Sequence, residues 1–458
     1  MRIMKKFSLL SVANPNALRP CVAELRGHRI GLPGVSSAEP LLRGCDQQQW
    51  LERLVALGVR HLVVPLNGPD EDVCLYARRH PAAGSSLGGA VYDLTRRDEG
   101  IFARLQFLLD AADKAGVLVG FSLFDLGWPQ PSGPWAAIDS VASASLVDAP
   151  RLEHAHRRHR KRSTTAIRRR ASALEEALSH ATEWMAAELR GRAAVWVQVF
   201  RGGESARGFG NPLSRLEDGL AKRMAGALVR PGEEAAKARL GPWLVAPDGF
   251  NWDTAPRAHR APFAMWPGAP PGRVDGVPLA MGRSRLPLLC DFSTGKSDSG
   301  SGSKPPARVE LWRAVLRGCW PIVPSGFESS PRQPPWRDLA QLAVLGRLWA
   351  GDGYLRPAPE LLALLAPGVA AAGKASAATD GRGRFFVYWG GCAHQKAELA
   401  MLPGTYRYYW FEPASGRGLD RGDGLEGGPH CRVPGPGKAR EALLILEQEE
   451  LPDPLSTW

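Results

Sequence analysis

Apolar residues follow two different spacings through the first three-quarters of the chain. Segments with apolar residues at i, i+3, i+4 and i+7 alternate with short continuous apolar runs. The helical spacing covers residues 47–58, 99–116, 172–191, 307–318 and 336–351. The apolar runs, typical of strands buried on both faces, cover residues 59–68, 117–125, 195–200, 241–249, 285–292 and 319–326. The recurring order of helix, glycine and apolar strand predicts a parallel sheet covered by helices.

The arrangement of these units favours an α/β fold of the (β/α)8 TIM-barrel type. No glycine-rich phosphate-binding fingerprint follows the first apolar run, which argues against a dinucleotide-binding fold. The number of units and the length of the segment fit eight βα repeats better. Within the second helical segment we expect Gly116 to end the helix and Asp93 to cap its beginning.

The pattern changes after about residue 370. Residues 370–383 are small and polar, and the runs that follow are short, aromatic or β-branched, and separated by turn signals such as PASGRG. They cover residues 384–391, 396–402, 405–413 and 440–448. This spacing predicts a small antiparallel β-sandwich. The expected organisation is therefore a barrel over residues 1–365, a linker over 366–383 and a sandwich over 384–458.

Composition narrows the classes of protein that fit. The chain has 458 residues, 44% of them hydrophobic, and no run of 18 apolar residues that would predict a transmembrane helix. The basic start and short apolar patch at the N-terminus make a weak signal peptide, so we expect a cytoplasmic rather than a secreted protein. Seven scattered cysteines without a CxxC pair argue against a disulfide framework or a structural zinc site. We expect no cofactor.

Positive charge is concentrated in one segment. The net charge is +12, and residues 154–170, HAHRRHRKRSTTAIRRR, hold eight Arg or Lys and no acid, which leaves +4 for the rest of the chain. Such a run is either a solvated loop leading into a helix or a site for phosphate, an acidic polysaccharide or an acidic partner protein. No RRM, zinc-finger or helix-turn-helix signature accompanies it, so a nucleic-acid partner is not expected.

Carboxylates lie at or just beyond the ends of three predicted strands. Asp125 ends the run FSLFD and Asp291 lies near the end of RLPLLCDF, while Glu204 follows the run VWVQVF after Arg201, Gly202 and Gly203. A barrel brings the C-terminal ends of different strands to one rim, where active sites lie. Each of these carboxylates could equally end a strand for structural reasons alone.

Tryptophans follow two of the predicted strands. Trp128 and Trp135 come after the run that ends at Asp125, and Trp252 follows the run at 241–249. Flat apolar ring faces stack on sugar rings, so these three side chains are candidates for substrate binding. The alternative is that they pack a long loop against the barrel, since large aromatic residues are usually well buried.

Several segments resemble a known group of proteins. YDLTRRDEGIFARLQFLLDAADKAGVLVGFSLFD at residues 92–125 resembles the second βα unit and third strand of glycoside-hydrolase-like TIM barrels, and ARVELWRAVLRGCWPIVPSG at 307–326 resembles their last helix and strand. FFVYWGG and LPGTYRYYWFEPASGRG, at 385–391 and 402–418, are similar to the C-terminal β-sandwich of that group, a collagen-binding-type domain. The resemblance implies a protein that acts on a polysaccharide or glycan.

The catalytic motifs depart from that group's pattern. The fourth strand of such barrels typically ends in Asn-Glu, the Glu being the acid/base, whereas this chain has Arg201-Gly202 there and Glu204 two residues further on. The seventh strand typically ends in a catalytic carboxylate, often Glu, and this chain offers Asp291. The resemblance thus implies Glu204 as acid/base and Asp291 as nucleophile or base. Asp125 and Arg201, at the strand ends, are candidates for substrate binding, and Asp125 could equally cap a helix. The alternative is an inactive barrel that serves as a binding or structural subunit of a larger assembly.

Overall fold

The structure is a computed structural model of the full chain. It describes residues 19–20, 22–25, 28–31, 34–67, 71–79, 91–125, 163–190, 195–201, 219–220, 223–224, 243–244, 264–267, 288–291, 308–316, 319–324, 354–362, 375–381, 383–390, 397–413, 415–437, 439 and 441–449.

Helices and strands alternate through the first part of the described chain, and strands alone fill the last part. The helices are α1 (Gln47–Ala56), α2 (Glu99–Ala115), α3 (Ser163–Leu189) and α4 (Arg308–Leu316), with short 3-10 turns at Glu39–Leu41, Glu71–Val73 and Pro359–Leu362. The strands up to α4 are β1 (Arg19–Pro20), β2 (Val22–Leu25), β3 (His28–Gly31), β4 (Gly34–Ser36), β5 (His61–Pro65), β6 (Tyr76–Arg79), β7 (Val91–Arg97), β8 (Leu118–Asp125), β9 (Val195–Arg201), β10 (Trp243–Leu244), β11 (Ala264–Pro267) and β12 (Leu288–Asp291). The remaining strands are β13 (Cys319–Pro324), β14 (Tyr354–Pro357), β15 (Ala375–Thr379), β16 (Arg384–Gly390), β17 (Ala397–Leu399), β18 (Thr405–Glu412), β19 (Arg417–Glu426), β20 (Cys431–Val433) and β21 (Glu441–Gln448).

Eight of these strands form one sheet whose order follows the chain. The order is β10-β11-β12-β13-β4-β5-β8-β9, so neighbours in the sheet are successive sheet strands in the sequence, with the first strand, β4, next to the last, β13. The pairs β5–β8, β8–β9, β10–β11 and β12–β13 are parallel. This is the strand order of a (β/α)8 barrel, and it confirms the predicted fold class. Counted from β4, β9 is the fourth strand and β12 the seventh.

Helix α2 shows how closely the apolar spacing defines an element. Its buried side chains are Ile101, Phe102, Leu105, Leu108, Leu109 and Ala112, the face predicted from the sequence. Gly116 ends the helix with φ of 67° in the left-handed region, as predicted. The prediction that Asp93 caps the helix is wrong. The cap is Asp98, whose carboxylate accepts hydrogen bonds from the amides of Gly100 and Ile101, while Asp93 lies in β7 and accepts from Thr95.

Helix α3 begins earlier than its apolar pattern indicates. The pattern predicts a start near residue 172, but the helix runs from Ser163 and includes the last part of the basic run, Arg168 to Arg170. A helix can extend through such residues because arginine has a high intrinsic helix propensity. Further along, Trp184 packs edge-on against Tyr76 and Phe102, at ring-centroid distances of 5.8 and 6.4 Å. These contacts fix the C-terminal half of the helix.

The C-terminal region is a β-sandwich, as predicted. Its large sheet has the order β1-β14-β15-β16-β21-β18-β19, and its strand pairs β14–β15, β15–β16, β16–β21, β18–β21 and β18–β19 are antiparallel. The ribbon of β17 and β20 faces it across an apolar core. Trp389 and Trp410 lie at the centre of that core with ring centroids 5.3 Å apart.

The opposite face of the large sheet lies against helix α4. Trp312 of α4 stacks on Tyr388 of β16, with ring centroids 5.8 Å apart and planes 11° apart. Strand β15, between β14 and β16, is buried along its whole length and lies within residues 366–383, where the sequence predicts a linker. Where the barrel ends and the sandwich begins stays a prediction.

Contacts group the chain into two compact units. One comprises residues 1–6, 36–55 and 61–267, and the other comprises residues 7–35, 56–60 and 268–458. Strands β5, β8 and β9, with helices α2 and α3, belong to the first unit. Strands β12 and β13, helix α4 and the sandwich belong to the second.

Candidate functional site

Two candidate residues lie opposite each other at the ends of adjacent strands. Asp125 is the last residue of β8 and Arg201 is the last residue of β9, and their Cα atoms are partners in the parallel pairing. Parallel strands end at the same edge of a sheet, so both residues belong to the C-terminal edge, where TIM-barrel active sites are built. The register thus brings Asp125 and Arg201 side by side at the ends of neighbouring strands.

The third described candidate ends the seventh strand of the barrel sheet. Asp291 is the last residue of β12 and pairs with Ile322 of β13. The apolar run before it, Leu288 to Cys290, forms the body of the strand. The sequence predicts a strand over 285–292, and the strand in the structure ends one residue before that predicted end, at Asp291.

The remaining candidates lie outside the described residues. These are Glu204, Trp128, Trp135 and Trp252, together with residues 154–162 of the basic run. The last described residue before Glu204 is Arg201. Strand β9 ends there, one residue beyond the predicted 195–200. The roles assigned to Glu204 and Asp291 therefore stay predictions.

A residue that the sequence analysis did not single out organises the neighbouring strand end. Asn67 follows β5 and is 1% exposed; among the described residues other than glycine, only Asn67 has a positive φ, of 50°. Its side-chain Nδ2 donates a hydrogen bond of 2.9 Å to the carbonyl of Leu123 in β8, and its Oδ1 accepts one of 2.9 Å from the amide of Leu75. Its own amide donates to the carbonyl of Val73.

These bonds join the end of β5 to the end of β8, two residues before Asp125. Asparagine suits this position because it tolerates the left-handed conformation and carries both a donor and an acceptor on a short side chain. The dipeptide Asn67-Gly68 at the end of an apolar run was the available signal, since it marks a turn with positive φ.

The described residues offer no metal site and no membrane span. No group of three or more His, Cys, Asp or Glu side chains in this part of the chain is arranged to hold a metal ion. Within the same residues, no helix is long and apolar enough to cross a membrane.

Comparison with known proteins gives the fold but no relative in sequence. No protein-family model and no curated protein matches the chain. Among solved structures, a glycoside hydrolase family 5 protein from Bacteroides vulgatus ATCC 8482 matches with a TM-score of 0.55 at 11% identity, covering 97% of each chain. A structure described as a glycoside hydrolase matches with a TM-score of 0.55 at 12% identity, covering 94% of this chain and 95% of its own.

A second protein of the same Bacteroides strain has a TM-score of 0.60 at 11% identity, covering 95% of this chain and 83% of its own. The matches run over nearly the whole chain, so they include both the barrel and the strands that follow it. At this level of identity the likeness concerns the fold. The protein has the glycoside-hydrolase-like fold of a TIM barrel followed by a β-sandwich.

Proposed function

We propose that this protein acts on a polysaccharide or glycan as a glycoside hydrolase, with Glu204 as acid/base and Asp291 as nucleophile or base. The observation that carries the proposal is the position of the strand ends. The fourth strand of the barrel sheet ends at Arg201, three residues before Glu204, and the seventh ends at Asp291 itself. Hydrolysis requires a pair of carboxyl groups, and a barrel supplies them from the C-terminal ends of different strands.

The two carboxyl groups need different environments. A general acid must stay protonated at the working pH, which a less polar pocket favours, while a nucleophile or base must be ionised. The positively charged Arg201 favours the ionised form of a carboxylate near it. Gly202 and Gly203 give the chain after β9 the backbone freedom needed to turn Glu204 back toward the barrel.

Substrate contacts complete the proposed site. Asp125 would accept hydrogen bonds from sugar hydroxyls and Arg201 would donate to them, from the paired ends of β8 and β9. Trp128, Trp135 and Trp252 would stack on sugar rings, because their flat apolar faces match the apolar faces of pyranoses. The chemistry assigned to these residues requires no cofactor.

Conservative substitutions test the proposal. Glu204→Gln and Asp291→Asn remove one ionisable group each while keeping the shape of the side chain. With a panel of polysaccharides and a reducing-sugar assay, each should lower turnover by about 100-fold or more, the usual size of an acid–base contribution. The matched control is Glu176→Gln, an exposed residue of α3, which should leave turnover unchanged. Turnover at the wild-type rate in both variants would show that other residues catalyse the cleavage.

A second candidate function is favoured by the residue that ends β9. The strand ends in Arg201, where the resembling barrels have Asn-Glu. In this alternative the barrel has lost catalysis and serves as a binding or structural subunit. Wild-type protein would then cleave no member of the panel, and Glu204→Gln would change neither glycan affinity nor stability. Unchanged glycan binding by calorimetry in the absence of any cleavage would favour a binding protein over an enzyme.

A further inference from the structure

The edge of the sandwich formed by β18 and β19 carries two aromatic rings on the face opposite the core. Alternate residues of β18 point in opposite directions: Tyr406 and Trp410 are buried in the core, whereas Tyr409 and Phe411 are partly exposed on the other face. The rings of Tyr409 and Phe411 stack on each other with centroids 6.4 Å apart and planes 29° apart. The two stacked rings therefore form an apolar surface, at least one ring wide, before any ligand binds.

The neighbouring strand places a cation and an open space beside these rings. In the β18–β19 pairing, Arg421 is the partner of Tyr409 and Gly418 is the partner of Phe411, so both lie on the same face as the rings. A Cβ atom added at Gly418 would meet nothing within 4 Å, which leaves room next to Phe411. We call Tyr409, Phe411, Gly418 and Arg421 the aromatic–arginine face.

One cation on this face, Arg421, has no ion-pair partner within the described residues. Arg407, the next outward residue of β18, has counter-ions in Asp423 at 3.5 Å and Glu449 at 3.4 Å. On the other face of β19, Arg417 has Glu412 at 3.8 Å. Arg421 is exposed, and no carboxylate of the described chain forms an ion pair with it. A ligand that brings a negative charge would therefore meet a guanidinium that is free to pair with it.

We propose that the aromatic–arginine face binds an acidic saccharide, with a sugar ring stacked on Tyr409 or Phe411 and its carboxylate or sulfate paired with Arg421. A pyranose has an apolar face for the rings and polar groups at its edge for the guanidinium. The apolar patches that mark protein interfaces are larger than the roughly 300–600 Å² of the largest patch on an ordinary monomer, and this face offers only two partly exposed rings. This combination of small apolar area and unpaired cation fits an acidic saccharide better than a protein surface. The inference does not depend on catalysis in the barrel.

Calorimetry on the full chain tests the proposal with a hyaluronan tetrasaccharide as probe and cellotetraose as the uncharged comparison. Wild type should bind the hyaluronan fragment at least 5-fold more tightly than cellotetraose. The double substitution Tyr409→Ala/Phe411→Ala should weaken binding of the acidic probe at least 10-fold. Arg421→Gln should weaken it about 5-fold, remove the preference over cellotetraose and reduce the dependence of affinity on salt.

Two control variants separate this face from general effects. Arg417→Gln removes the same charge from the same strand but on the other face, since Arg417 pairs with Glu412. Phe107→Ala removes an exposed aromatic ring from α2, where Phe107 is 55% exposed. Both should bind the acidic probe as wild type does, and circular dichroism should show all four variants folded.

Several results would overturn the inference. The inference fails if the wild type shows no measurable binding at millimolar hyaluronan tetrasaccharide. It also fails if the wild type binds cellotetraose with equal affinity. Binding that survives in the double aromatic variant but is lost in Asp291→Asn would place the saccharide in the barrel instead, supporting the proposed function while refuting this one. Equal binding of a polyglutamate peptide would show a general attraction for anions without recognition of a sugar.

Discussion

Strands β8 and β18 differ in how many of their side chains are open to solvent. Strand β8 lies between β5 and β9 in the parallel sheet, and its described side chains from Leu118 to Phe124 are buried whichever face they occupy. Strand β18 alternates between core residues such as Trp410 and partly exposed ones such as Tyr409. In the barrel, side chains available to a ligand are therefore those at strand ends, while in the sandwich they lie along a strand face.

The difference also decides which residues of each strand are open to a ligand and which only pack in the core. In β8, a polar side chain that contacts a ligand would have to come at or after Asp125, because the side chains from Leu118 to Phe124 are buried. In β18, neighbouring residues have opposite roles, so two adjacent substitutions should have very different effects. The predictions below test this contrast, from the largest expected effect to the smallest.

The largest effect should come from Trp410, on the core face of β18. Its side chain is 1% exposed and its Nε1 donates a 2.7 Å hydrogen bond to the carbonyl of Pro434. Trp410→Ala should lower the free energy of unfolding by about 3–5 kcal/mol, because it leaves a large cavity and an unsatisfied carbonyl. Urea unfolding followed by circular dichroism measures the change. Tyr409→Ala, the adjacent residue on the other face, should cost clearly less, and equal costs would contradict the assignment of faces.

A second, smaller effect should come from Asn67 at the end of β5. Asn67→Ala should cost about 1–3 kcal/mol, because the buried carbonyl of Leu123 and the amide of Leu75 lose their partner. Asn67→Gly should be milder by about 1 kcal/mol, because glycine adopts φ of 50° without strain. Hydrogen exchange should speed up at residues 122–125 in both variants. Unchanged exchange there would mean that Asn67 does not hold the end of β8.

The barrel strands were predicted well where the side chains change from apolar to charged at the end of the strand. Asp125 follows a run of apolar residues, so both its strand and the strand's last residue could be read from the pattern, whereas the strand predicted over 285–292 ends one residue earlier, at Asp291. Helix α2 was predicted for the same reason, since its apolar stripe and Gly116 agree. Its cap was misassigned because three acidic or polar residues, Asp93, Thr95 and Asp98, precede the helix, and only the backbone shows that β7 occupies the first two.

Strand β15 shows what the pattern could not reveal. Its sequence, ASAAT, has low β-propensity and reads as a linker. The structure buries it because small side chains allow close packing on both faces: Ala375 and Ala377 contribute to the sandwich core, and the strand lies against α4. The position of Asn67 was equally hidden, because its hydrogen bonds reach Leu123, 56 residues away in sequence. Both features depend on tertiary contacts.

A third effect tests the corrected helix cap in the barrel region. Asp98→Ala should lower the free energy of unfolding by about 1 kcal/mol, the usual cost of losing an N-cap, because the amides of Gly100 and Ile101 lose their acceptor. Asp98→Asn should recover most of the loss, since the amide oxygen still accepts. Asp93→Ala is the comparison, and it should cost less helix stability, because Asp93 lies in β7, where it accepts hydrogen bonds from Thr95, and it caps no amide at the start of α2. The reverse order would restore Asp93 as the cap.

The smallest effect on stability should come from the basic run that leads into α3. Residues 154–162 of the run lie outside the described residues, and helix α3, which begins at Ser163, is anchored further along, at Trp184. Replacing Arg157, Arg158, Arg160 and Arg162 with Ser should therefore change the free energy of unfolding by less than about 1 kcal/mol, since exposed charges contribute little to folding.

If the run binds an anionic partner, the same replacement should lower the salt concentration that elutes the protein from heparin, because fewer cations then release counter-ions on binding. The matched control removes four exposed cations from elsewhere in the chain, namely Arg53, Lys114, Arg190 and Arg432. Because both variants lose the same net charge, only a local site makes the basic-run variant elute at the lower salt. Identical elution of the two variants would show that residues 154–170 act as a solvated segment and that the attraction comes from net charge alone.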